Sequence, residues 1–255
     1  MAYSRDTAPY AEYTILVNQP GADISNGTLT VIDTLGVPGK MAYVPDSFKV
    51  FVMVDLQEAG KRVYNDSLRK AETYRDVKDA VKELYTRQSL EKERYGQLYG
   101  VNYYDLDNYD LVIDSTNATP AQIAEEIIRR FEQFEAGDKT KHMEISPYRI
   151  YPVVPVQELD DLKVEKYSSD CEDEVCFDET LEVILKDGKW YAGAENEKLL
   201  AAQADKKSFI CVRIKKDGEG RSTEDICSGY EEKAGFKYAG YPEEILSYSN
   251  EAMYW

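Results

Sequence analysis

The stretch 48–54, FKVFVMV, decides the fold. Seven residues in a row are apolar or β-branched apart from one lysine, as a strand covered on both faces of a parallel sheet requires. The chain then turns helical. Residues 56–74 carry Ala59, Val63 and Leu68 among charges, and 74–98 repeat Val77, Val81, Leu84 and Tyr85 at helical spacing. A second strand, 110–115 (DLVIDS), follows a polar loop. Thr119-Pro120 then supplies a cap with proline in the first helical position, opening a helix to Glu135 with Ile123, Ile127, Ile128 and Phe131 as its apolar face. Strand–helix–helix–strand–helix is the order of an α/β domain, and the two strands are expected to be adjacent, buried and parallel.

Upstream, 13–17 (YTILV) and 28–33 (TLTVID) are short strand candidates. The turn-forming QPGADISNG lies between them, and the glycine-bearing TLGVPGK follows. Downstream, 135–141 (EAGDKTK) is charged and lacks apolar anchors. The expected organisation is therefore a first domain over 1–136, a linker over 137–144 and a smaller α+β domain over 145–255. That second part opens with ISPYRIYPVVPV, whose prolines restrict pairing to sheet edges. Asp187-Gly188 between 181–185 and 190–191 marks a hairpin. Residues 197–204 read as a helix, 209–214 (FICVRI) as a strand, and the tail to 255 as helical with aromatic anchors.

Composition narrows the partners. A net charge of −17 argues against duplex nucleic acid and against anionic membranes, both of which ask for a basic face. It leaves room for a small nucleotide held by a few arginines in a cleft. The 21 tyrosines read mainly as half-buried rings with wet hydroxyls. Four cysteines, Cys171, Cys176, Cys211 and Cys227, are too few for a disulfide scaffold in 255 residues. The Cys171-x4-Cys176 pair lacks a second Cys or His pair nearby, so no metal site is expected. The one histidine, His142, reads as a solvated connector residue. The opening MAYSRDTAPY has no apolar core of signal-peptide type, and no apolar run reaches membrane-spanning length. The expected location is the cytoplasm of a bacterium or a phage-infected cell.

Residues 46–128 resemble the cytidylate kinase family. The resemblance rests on PDSFKVFVMVD at 45–55, on Arg62 in the next helix, on RQSLEKERYGQLYG at 87–100, and on NYDLVIDSTNATPAQIAEEII at 108–128. It implies substrate-binding roles for Arg62, Arg87, Glu91, Arg94 and Asp114, with a pyrimidine nucleotide as ligand. Arg87 and Arg94 are two helical turns apart and share a face with Glu91, so paired guanidiniums could hold a phosphate. A solvated face bridged by Glu91 explains the same residues. The resemblance has gaps. No G-x-x-x-x-G-K-[ST] occurs anywhere in the chain, and Leu35 and Ala59 stand where the family carries arginines. Without that lysine and hydroxyl, a transferring phosphoryl has no stabiliser.

Residues 183–214 are similar to the ParB/sulfiredoxin-like fold. Aligning Ala201-Ala202 with that family's paired alanines puts its phosphate-binding turn on Glu195, Asn196, Glu197 and Lys198. Two acids there repel phosphate and suit the positive end of a helix instead. The expectation is thus a non-catalytic scaffold or interaction protein of two degenerate enzyme-derived domains. It has no catalytic residue and no cofactor, and it binds a protein partner or itself. A pyrimidine-nucleotide sensor, or an active cytidylate-kinase-like phosphotransferase with a rebuilt ATP site, are the alternatives.

Overall fold

The computed structural model describes residues 47–67, 73–100, 102, 104–169, 180–186 and 189–215, with two-residue strands at 14–15 and 30–31. The expected tail helix lies outside the described residues, as do the turn at 19–27, Cys171, Cys176 and Cys227. The chain divides into two compact units, 1–47 with 89–103, and 48–88 with 104–255. In the first, β1 (Thr14–Ile15) and β2 (Thr30–Val31) pair in parallel.

The second unit is built on a seven-stranded mixed sheet with helices α1–α5. Its elements are β3 (Val50–Met53), α1 (Leu56–Asn65), α2 (Val77–Tyr99, of which 89–99 fall in the first unit), β4 (Leu111–Asp114), α3 (Pro120–Glu135), β5 (His142–Ile145), β6 (Ile150–Tyr151), α4 (Asp161–Ser169), β7 (Leu181–Lys186), β8 (Lys189–Ala192), α5 (Asn196–Ala204) and β9 (Ile210–Ile214). The strand order is β3-β4-β5-β9-β7-β8-β6. β3, β4 and β5 run parallel, with Val50 beside Leu111 and Leu111 beside His142. β5 then meets β9 antiparallel. β7 is parallel to β9 and antiparallel to β8, and β6 closes the far edge in parallel with β8.

Local chemistry explains the elements that the sequence announces. Thr119 and Gln122 form a reciprocal capping box on either side of Pro120, so α3 starts where its pattern predicts. Asp55 caps α1 by accepting from the amides of Gln57 (2.9 Å) and Glu58 (3.2 Å). Gly60 lets α1 pack closely on α2, since a Cβ there would stand 2.3 Å from Val81 Cγ2. β4 is buried along its whole length, as the second strand of the sheet, between neighbours, should be. Within the proline-rich segment β6 is an edge strand, and β7 and β8 pair antiparallel with Lys186 opposite Lys189, while Asp187-Gly188 lies outside the described residues.

Four expectations change. β3 is paired and parallel to β4, but it is the edge strand of this sheet and Val52 is 51% exposed, so it is not buried on both faces. α1 ends at Asn65 rather than 74, because Asn65-Asp66-Ser67 offers side-chain bonding that competes with the helix, and Asp66 is extended. The sequence reading leaves 157–169 unassigned, yet α4 begins there behind Asp160, which accepts from the Leu162 amide at 3.1 Å. His142 is half-buried and opens β5, not solvated in a connector. Within 137–144, residues from His142 onward thus join β4 to β9 inside one sheet.

Candidate functional site

The carboxyl ends of parallel strands are where α/β sheets place ligands, and the buried Asp55, Asp114, Ser115, Thr116, Ser146 and Arg149 collect there. Asp114, last in β4, is fully buried and accepts from the Thr116 amide (3.0 Å), the Thr116 hydroxyl, the Ser146 amide (3.2 Å) and Arg149 Nη1 (3.0 Å). Ser115 Oγ donates to Met53 O at the end of β3 (2.9 Å), and the Asp55 amide donates to Thr116 Oγ1 (2.8 Å). Ser146 Oγ donates to Asn117 Oδ1 at 2.6 Å. The residues after β3, β4 and β5 are therefore bonded to one another through side chains. Burial and the charge of Asp55 raise the Tyr151 phenol, while Arg149 pulls it down, so Tyr151 also borders this cluster.

Arg62, the seventh residue of α1, donates through one nitrogen, Nη2, to Ser115 O and Thr116 O, both at 2.8 Å, and through Nε to Glu58 (3.0 Å). Its guanidinium straps the turn after β4. On α2, Arg87 is exposed and Glu91 half-buried. Arg94, in the first unit, is exposed, lies over the Tyr95 ring at 5.0 Å and donates to its hydroxyl at 3.1 Å.

The turn ahead of α5 is equally occupied. Glu195 adopts φ 52° and ψ 47°, the left-handed region that favours glycine. It accepts from Tyr167 OH (3.3 Å) and pairs with the buried Lys198 (3.3 Å). Asn196 Oδ1 accepts the Val153 amide at 2.9 Å, and Glu197 stands 3.9 Å from Lys163.

Sequence reasoning missed two buried arginines. One is Arg149. The other is Arg130 on α3, 3% exposed, which binds Glu126 (2.9 Å), Gln133 (3.1 Å) and Glu144 of β5, with His142 Nε2 at 3.5 Å. Burial works against the Arg130 charge, but Glu144 and Glu126 outweigh it and raise its pKa. Burial pushes the Glu144 carboxyl above the ordinary carboxylate range, against the pull of Arg130, and pushes the Cys211 thiol of β9 up to about 11. A signal for Arg130 exists: it falls on the stripe Ile127–Phe134, at i+3 from one and i−4 from the other, where a solvated residue has no place.

No helix among the described residues is long and apolar enough to cross a membrane. No family model matches the chain, and no solved structure matches it. Over 63 residues it is 35% identical to the cytidylate kinase of Thermoplasma acidophilum, covering 25% of this chain and 34% of that one. Over 97 residues it is 27% identical to an S-adenosylmethionine-dependent nucleotide dehydratase of Lacinutrix mariniflava, covering 38% of this chain and 19% of that protein. The chain thus spans about a third and about a fifth of the length of these relatives. The chain carries a distant, partial likeness to nucleotide-related enzymes.

Proposed function

We propose that this chain is a non-catalytic interaction module, acting in the cytoplasm, built from a degenerate cytidylate-kinase-like domain (1–136) and a degenerate ParB/sulfiredoxin-like domain (145–255) that share a sheet. One observation carries the reading. Asp114 and Arg62, which the kinase resemblance makes substrate-facing, are committed to internal partners, with Asp114 saturated by four donors and Arg62 holding two carbonyls. A carboxylate with no exposed surface cannot meet a substrate, so the carboxyl end of the sheet works as a joint. The left-handed Glu195 supports the ParB-like ancestry, because it stands where that family's turn has its glycine. An acidic surface of net charge −17 suits a protein partner or a second copy of the chain better than a polyanion.

A second reading, a pyrimidine-nucleotide sensor, is favoured by the similarity to the Thermoplasma enzyme together with the exposed Arg87 and Arg94. Thermal shift with CMP, dCMP and ATP-Mg separates the readings, since a ligand at a hundred times its Kd stabilises by about 2.7 kcal/mol. The module reading expects no shift with any of the three and no phosphoryl transfer. A monophosphate shift that Arg87→Ala and Arg94→Ala abolish establishes the sensor instead. Turnover of CMP near ~1 s⁻¹, the low end for kinases, overturns both.

A further inference from the structure

Away from the joint, one cluster has donor chemistry that the proposed function does not use. His142 and Glu144 are alternate residues of β5 and therefore share a face of the sheet. Cys211 on β9 stands directly opposite Glu144 in the antiparallel register, which puts its thiol on that same face. One ligand atom from each residue lies within 4.8 Å of the other two. Atoms bound to one tetrahedral zinc at about 2.0–2.3 Å stand roughly 3.3–3.8 Å apart, so a shift of about 1 Å closes the triangle.

We propose that His142, Glu144 and Cys211 form a binding site for a single divalent cation of the zinc class. The donor set selects the ion: imidazole, carboxylate and thiolate suit zinc, whereas magnesium and calcium take all-oxygen shells. The neighbouring Arg130 is the obvious objection, and its contacts answer it. Glu144 meets both Arg130 and Arg129 through Oε1, and Arg130 Nη1 stands 3.5 Å from His142 Nε2, so the ion shares its ligands with this guanidinium. Arg130 keeps Glu126 and Gln133 as partners of its own when Glu144 is shared. A ligating carboxylate that also accepts from a fixed donor is the usual outer-shell arrangement. The Cys211 sulfur gives up its proton to solvent as the metal–sulfur bond forms, and any proton held by the Glu144 carboxyl leaves with it. Three protein ligands leave the fourth position to solvent. Because His142 is half-buried while Glu144 and Cys211 are buried, the ion enters from the histidine side.

The test uses the full chain stripped with EDTA and titrated with Co²⁺ alone, then Zn²⁺. A background with Cys171, Cys176 and Cys227 replaced by serine makes any thiolate-to-cobalt absorption report on Cys211. The expected result is one equivalent of Co²⁺, a charge-transfer band displaced by Zn²⁺, and a rise in Tm with Zn²⁺. Cys211→Ser abolishes the band. His142→Ala weakens affinity at least roughly tenfold, the scale of losing even an outer-shell partner. Should the cysteine variants fail to fold, the Zn²⁺-induced rise in Tm, compared between the native chain and His142→Ala, decides the matter. No band and no Tm shift at millimolar metal overturns the site, and so does a His142→Ala variant that binds as tightly as the native chain.

Discussion

Asp114 and Arg149 meet at 3.0 Å across 35 residues of chain, both buried, and their pair ties the end of β4 to the chain entering β6. A buried pair adds little beyond a good apolar packing, yet breaking it strands a charge. Asp114→Asn should cost about 3–5 kcal/mol in urea unfolding, and Arg149→Met a similar amount. The double variant should cost clearly less than the sum. Additive losses would show that the two residues act separately.

Arg62→Ala tests whether the strap is structural. It removes charged hydrogen bonds to two carbonyls from a side chain that is 44% exposed, so the loss should be at the low end, about 1 kcal/mol. The midpoint of denaturation should fall while the thermal response to CMP stays as in the native chain. A CMP response that disappears with Arg62 gives this residue back a ligand.

Gly60→Ala should destabilise despite alanine's helix propensity. The added methyl would overlap Val81 Cγ2 at 2.3 Å and press on the Val81 amide at 3.3 Å. Overpacking of this kind costs about 1–3 kcal/mol. Pairing the change with Val81→Ala should recover part of it, and calorimetry reads both.

Alkaline pH should loosen the fold through Tyr109. Burial pushes its phenol up to about 12, with the Tyr104 and Asp105 charges adding to the rise. Its folded value lies above the ordinary 10, so the unfolded chain gives up this proton first. The stabilisation is fully present below pH 10 and is lost as pH climbs from about 10 to 12. Tyr109→Phe should flatten that part of the stability curve, and an unchanged slope would clear Tyr109 of the effect.

What the sequence announces locally, the fold obeys. α3 carries its start in Thr119, Pro120 and Gln122 and its inner face in Ile127 and Phe131, all within sixteen residues. β4 is apolar because neighbours cover it. β3 looks the same on paper, since hydrophobic content tells a strand that it pairs but not how many neighbours it has. Val52 differs from Ile113 only in where the sheet stops. The pairings within the polar networks are illegible for another reason. Arg130 with Glu144 and Asp114 with Arg149 are brought together by β5, and nothing in 137–144 says that a strand begins at His142. Arg62 is a further case: the sequence marks it as a cation in a helix, but its backbone partners, Ser115 O and Thr116 O, lie 53 and 54 residues along the chain.

β5 makes the chain hard to take apart. It hydrogen-bonds in parallel with β4 along one side and antiparallel with β9 along the other, like a seam sewn from both edges. Cut the gene between 137 and 141, and the first piece keeps Asp114 and Arg130 but loses Arg149 and Glu144, while the second keeps a strand with no β4 beside it. A cut there leaves each piece with a buried charge stripped of its partner and an open strand edge, so the sheet from β4 to β9 stands or falls as one piece.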